Sequence, residues 1–252
     1  MFPYGTSGIY NPANPGNLCC GNPGSQWVSA ILPDLEQQAL FSALNFSLWL
    51  GTPANTTVTR TVVANLMCPS DPGIITPMKP LDYNAGPGMG LWYPGNMGGT
   101  LMDALNPACV ANPNVGNTNV YCNTGYYGNK NGTALVGMFA RSNLCQRMGG
   151  VLDGLSNTIM VGETLPDDCS RIMGAFAQNF PLSGTQIPLN QLSQQDPGQW
   201  WMSCGYKSHH AGGANFLMGD GSTRFVKQSV NYFIYNALGS SRGGEVISGD
   251  QF

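Results

Sequence analysis

Charge is scarce in this chain. Of its 252 residues only 9% are Asp, Glu, Lys or Arg, against roughly 25% in an average soluble domain, so the surface must be built from Asn, Ser, Thr, Gln, Gly and backbone groups, as in exported proteins. The ten Lys and Arg are scattered singly under a net charge of −3. With no basic stripe to release counterions from a phosphate backbone, the sequence argues against nucleic-acid binding. Long apolar runs are missing too. No segment reaches ~18 uninterrupted apolar residues, so no membrane span is expected. Met1 opens directly onto FPYGTSGIYNPANPGN, without a charged start, apolar core and cleavage site. H-E-x-x-H and S-x-x-K do not occur, and glycine clusters such as GPGMG and GDGS lack the spacing of a phosphate-binding loop. Histidine is down to two, His209 and His210.

Turn formers are plentiful instead. There are 34 Gly, 18 Pro and 24 Asn, which supply unusual φ or interrupt ladders and so predict a β-rich, loop-heavy fold. Eight cysteines, Cys19, Cys20, Cys68, Cys109, Cys122, Cys145, Cys169 and Cys204, form no C-x-x-C pair and have no histidine at zinc-finger spacing. Disulfides, and with them an oxidising compartment, are the better reading. The adjacent Cys19 and Cys20 are expected to bond to different partners.

AILPDLEQQALFSALNF places Ile31, Leu35, Ala39 and Ala43 at helical spacing, with Pro33 suited to a first turn, and predicts a helix from Pro33 to Leu44. TTVTRTVVANLMCPSDPG alternates β-branched and polar residues, predicting a strand over Val58 to Leu66. Short strands are predicted over Ala134 to Phe139 and over Leu155 to Glu163, the latter entered by a turn at Asp153-Gly154. A helix is predicted in VNYFIYNALGSS, stopped near Gly239. Residues 1–252 form one domain on this reading, with a Gly/Asn/Pro-rich variable insertion at about 72–135.

In SHHAGGANFLMGDGSTRFV, Ala214 to Met218 and Thr223 to Lys227 flank Gly219-Asp220-Gly221-Ser222, and Asp-Gly favours a tight turn with positive φ. At about 3.3 Å per residue, Asp220 falls on the order of 20 Å from Ala214, so His210 and Asp220 sit at opposite ends of a hairpin and do not share an ion. Neighbouring histidines on extended backbone project in different directions. A metal site would need a carboxylate from elsewhere, with Asp71, Asp153 and Glu163 as candidates. His210, Asp220 and Glu163 are therefore weak metal candidates, no cofactor is expected beyond a structural calcium on loop oxygens, and His210 is read as a structural histidine. Trp92, Tyr93, Trp200 and Trp201 are the candidate ligand-binding residues, since paired aromatics can stack on sugar rings.

Five stretches taken together, ILPDLEQQALFSALNF, LMCPSDP, DGLSNTIMVGE, the His210-x9-Asp220-Gly221 spacing and the terminal GGEVIS, resemble in order the bacterial prepilin-type proteins with a C-terminal H-x9-DG processing-associated domain, the domain-of-unknown-function family 1559. The resemblance implies export through the inner membrane behind an N-terminal stem helix, which is expected to be absent from this sequence. It implies a pilin-like α+β fold in which a helix lies on an antiparallel β-sheet, loop-rich and disulfide-supported. Asp153, Gly154, Glu163, His210, Asp220 and Gly221 are the motif residues, with Asp153-Gly154 and Asp220-Gly221 as turns and Cys68 as a disulfide partner.

The expected function is that of a structural or interaction protein, not an enzyme: the head of a type IV pilin-like or pseudopilin-like subunit in the cell envelope or outside it. Its expected partners are other pilin-like subunits or envelope and secretion proteins. It is expected to meet the membrane only through the missing helix. The alternatives are a module that binds glycans or other polymers through the four aromatics, or a secreted hydrolase built on His210, Asp220 and a nearby serine.

Overall fold

The computed structural model describes residues 1–7, 24–71, 78–81, 85–100, 128–130, 134–169, 174–176, 181–192 and 203–248. Helix comes first, in short pieces. Helix α1, Trp27–Ala30, opens on a capping box: the Gln26 side chain accepts from Val28 N and Ser29 Oγ accepts from Gln26 N. The helix expected from Pro33 to Leu44 is broken into a 3-10 turn, Pro33–Leu35, and α2, Gln38–Ala43. Glu36, with φ 60°, makes the break. Its N–H bonds to Pro33 O while Gln37 N–H reaches back to Leu32 O at 2.8 Å, the paired bonds of a left-handed C-terminal cap. Leu32 on one side of the break and Leu40 and Phe41 on the other all pack on the same core, which is why the apolar period runs through it.

The strand expected over Val58 to Leu66 is instead helical. Helix α3, Thr56–Arg60, is followed by a 3-10 turn at Ala64–Leu66. Thr59 Oγ1 donates to Thr56 O, and Thr61 Oγ1 donates to Thr57 O at 2.7 Å. Such back-bonding lets β-branched residues sit in a helical turn. Val58 is fully buried.

Nine strands follow among the described residues. β1 (Met78–Leu81) pairs with β2 (Ala85–Met89), and β4 (Asn129–Lys130) with β5 (Ala134–Leu135), as two small antiparallel ladders. β5 covers only the first two residues of the expected Ala134 to Phe139 strand. The main sheet joins β3 (Gly95–Asn96), β6 (Ile159–Gly162), β7 (Leu182–Ser183), β8 (Gly213–Met218) and β9 (Thr223–Lys227) in the order β7-β3-β6-β8-β9. The expectation of a purely antiparallel sheet is corrected here, because β3 and β7 run parallel and make it mixed. The first part of the predicted strand from Leu155 to Glu163 is a 3-10 turn, Leu155–Asn157, entered through Gly154 at φ 92°. Residues expected in the 72–135 insertion also reach the centre: β3 lies in the main sheet, and Leu91, Trp92 and Met97 are buried.

The hairpin forms where Asp-Gly placed it. Gly213 pairs with Lys227 and Leu217 with Thr223. Gly221 N–H closes the turn on Met218 O, and Gly221 alone takes a positive φ, 88°. This is a three-residue loop with a glycine bulge. Helix α4, Tyr232–Gly239, is capped by Asn231 Oδ1, which accepts from Phe233 N and Ile234 N. Its Tyr235 and Leu238 pack with Ile159, Tyr206, Phe216, Met218 and Val226, each such burial stabilising by about 1.5–3 kcal/mol. The helix laid on the sheet is therefore the C-terminal one, while the N-terminal helices join Trp92, Met89, Phe139 and Leu182 in a second core. Asn96 stitches the two halves, donating from Nδ2 to both Ile159 O and Gly239 O at 2.8 Å.

Cys169 and Cys204 form a disulfide across 35 residues. Cys68 and Cys145 are free thiols, which corrects the disulfide role expected for both. Cys19, Cys20, Cys109 and Cys122 lie outside the described residues. Among the described residues no helix is long and apolar enough to cross a membrane.

Candidate functional site

Glu163 stands one residue past the end of β6. Gly162 before it is where the rings of Tyr206 and Phe216 cross the strand, and a Cβ there would come within 2.6 Å of both. The backbone of Glu163 is held by Lys207 N–H, which bonds to Glu163 O at 2.9 Å. Its carboxylate accepts from Asn215 N at 2.8 Å through Oε2 and from Asn215 Nδ2 at 3.1 Å through Oε1. Both oxygens are thus oriented by one β8 residue, and only 9% of the side chain is exposed.

The histidines lead into β8. His210 N–H bonds to Ser208 Oγ, and Ser208 N–H to Asn190 Oδ1 at 2.8 Å, so this bend is built by side chains. The two rings meet different carboxylates. His209 Nε2 faces Asp71 Oδ1 at 3.4 Å, and His210 Nε2 faces Glu163 Oε1 at 3.4 Å. Two of the three carboxylates singled out from the sequence are the ones that meet the histidines.

The third arm is CPSD, residues 68–71, a turn in which Asp71 N–H bonds to Cys68 O. Cys68 Sγ lies 3.0 Å from Ser70 Oγ, which lies 3.2 Å from His210 Nε2. Trp92 Nε1 donates to Asp71 Oδ2 at 2.7 Å. Tyr93 closes the back: it shares a hydrogen bond with Cys68, and burial, reinforced by Cys68 and Glu163, pushes its phenol far above the ordinary tyrosine range. One donor atom each from Cys68, Glu163 and His210 lies within 4.8 Å of the others. Three of the five stretches that carry the family resemblance, LMCPSDP, DGLSNTIMVGE and the start of the H-x9-DG spacing, therefore converge on one cluster.

The other expected site residues fall elsewhere. Asp220 is at the far end of the hairpin, where Ser222 N and Oγ both donate to it and hold its carboxyl below the usual range. It takes no part with His210, so the hydrolase set of His210, Asp220 and a serine is not assembled. A serine does approach the histidine, but Ser70 Oγ and Glu163 Oε1 address the same ring nitrogen, whereas a relay needs the acid on the opposite nitrogen from the nucleophile. Trp92 is 1% exposed and offers no face for sugar stacking, which corrects its ligand-binding role. Tyr93 is half-buried against Cys68. Trp200 and Trp201 lie outside the described residues. Asp153 accepts from Gly243 N and Gly244 N at 2.7 and 2.8 Å, so that motif and the terminal Gly-Gly form a structural clasp. Sequence reasoning missed Cys68 as a member of the cluster, because all eight cysteines were read as crosslinks; the short Cys-Pro-Ser-Asp turn was its signal.

A family model described as a protein of unknown function (DUF1559) matches residues 1–232. No curated protein and no solved structure matches the chain.

Proposed function

The chain belongs to the DUF1559 family, and from that premise we propose that it is a structural or interaction protein of the bacterial cell envelope, the exposed head of a pilin-like or pseudopilin-like subunit in a surface filament or secretion apparatus. The family match over residues 1–232 carries the reading, since export and assembly in the pilin manner are what the resemblance brings with it. The Cys169–Cys204 disulfide supports it, because such bonds persist in oxidising compartments and are rare in the cytosol. The α+β architecture, with α4 laid on an open sheet, agrees with a pilin-like head in class. On this reading the chain is not an enzyme, and the shared use of His210 Nε2 by Ser70 and Glu163 favours that over a hydrolase. Its partners are other pilin-like subunits or envelope proteins.

The test is fractionation of the source cells with an antibody to this head, followed by crosslinking in the intact envelope and electron microscopy of immunogold-labelled surfaces. Recovery with the envelope, crosslinks to itself or to another pilin-like chain, and label on surface structures are expected. Recovery as a free cytosolic monomer overturns the reading.

A further inference from the structure

We propose that Cys68 Sγ, the Glu163 carboxylate and His210 Nε2 bind a single divalent ion of the zinc class. The donor set carries the choice of ion. Calcium takes oxygen ligands, whereas thiolate with imidazole and one carboxylate is the chemistry of zinc and its neighbours. The geometry agrees. Around a tetrahedral ion with bonds of about 2.0–2.3 Å, donor atoms stand roughly 3.3–3.7 Å apart. His210 Nε2 and Glu163 Oε1 are 3.4 Å apart, and all three donors lie within 4.8 Å of one another, so movements of about an ångström complete the triangle.

The donors are also held from behind in the way a metal site requires. Asn215 fixes both carboxylate oxygens of Glu163, Tyr93 shares a hydrogen bond with Cys68, and the Ser208 hydroxyl shapes the His210 bend; such outer contacts set the orientation and affinity of ligands. Ser70 Oγ, 3.0 Å from Cys68 Sγ and 3.2 Å from His210 Nε2, stands beside the two donors. A tetrahedral ion on three protein ligands leaves its fourth position to water. On binding, the Cys68 thiol gives its proton to solvent and the thiolate bonds the ion. The ion would tie the CPSD turn, the end of β6 and the entry to β8 together where short hydrogen-bonded turns now meet.

The experiment uses the full chain with the Cys169–Cys204 disulfide intact. Cobalt(II) is titrated in and the near-ultraviolet sulfur-to-cobalt charge-transfer band is followed, then zinc(II) is added in competition. In parallel, alkylation of Cys68 and Cys145 by iodoacetamide is timed by mass spectrometry with and without zinc(II). One cobalt ion per chain, a charge-transfer band displaced by zinc, and protection of Cys68 but not Cys145 are expected. Cys68→Ser should abolish the band, Cys145→Ser should leave it, and Asn215→Ala should weaken binding by about 10–100-fold. The alkylation readout on the unaltered chain stands even if a variant misfolds. Absence of stoichiometric binding, a band that survives Cys68→Ser, or Cys68 alkylation indifferent to zinc overturns the site.

Discussion

Single residues in this chain show where local rules yield to their surroundings. Glu36 holds a left-handed φ of 60° on an exposed turn, a conformation that costs an L-residue about 1 kcal/mol and glycine almost nothing. Glu36→Gly should therefore raise unfolding free energy by about 0.5–1 kcal/mol in urea titration. Tyr235 is buried, and its hydroxyl finds no hydrogen-bond partner among the described residues. Tyr235→Phe removes an unsatisfied polar group and should be neutral or stabilising by about 1 kcal/mol. Asn96 is the reverse case. Both of its amide hydrogens serve buried carbonyls, so Asn96→Leu should destabilise by roughly 2–4 kcal/mol by stranding Ile159 O and Gly239 O. Residues of this kind are hidden in a sequence because their cost or benefit depends on what faces them. Cys68 was misjudged for that reason: a cysteine in an oxidised chain reads as a crosslink until the neighbouring imidazole and carboxylate are seen.

Elements were legible where pattern and turn chemistry agreed. The β8–β9 hairpin came out at nearly its predicted bounds because Asp220-Gly221 dictates both the turn and the register, and α4 ends where Gly239 placed it. The predicted Pro33 to Leu44 helix failed at Glu36, since apolar spacing records which face is buried but not whether the backbone between is continuous. Val58 to Leu66 failed through β-branched content: threonine hydroxyls bonding back to helical carbonyls outweighed strand propensity. The site was half legible. Both histidines and both facing carboxylates were named from residue type alone, while their pairing needed the long-range return of β6 beside β8. The Asp153 clasp is an element-scale device of the same kind. Asp153→Ala releases Gly243 and Gly244 and should speed amide hydrogen exchange across residues 240–248 while costing about 1–2 kcal/mol; unchanged exchange there would show that the tail is held by other contacts.

At the scale of the whole molecule, two cores joined by a narrow mixed sheet are backed by one described covalent link. Closing a loop of 35 residues contributes roughly 3–4 kcal/mol in the chain-entropy account, so the double variant Cys169→Ser, Cys204→Ser should lose about that much in urea titration. The α4 core also sets an alkaline limit. Burial raises the phenols of Tyr206 and Tyr235 well above their ordinary 10.0, so above that pH the native state keeps protons the unfolded chain releases. Their contribution is fully present below pH 10 and is lost as pH rises beyond it; urea midpoints at pH 9, 10 and 11 should fall in that order, less steeply in Tyr235→Phe. Few charges, a covalent staple and family membership are what support the proposal that the molecule works on the outer side of a membrane. The most direct test is to trap thiols in intact source cells with a membrane-permeant alkylating reagent and map the native protein by mass spectrometry, fraction by fraction. Cys169 and Cys204 recovered as one crosslinked peptide pair from the envelope is the predicted result; both recovered as alkylated thiols from cytosolic protein would contradict it.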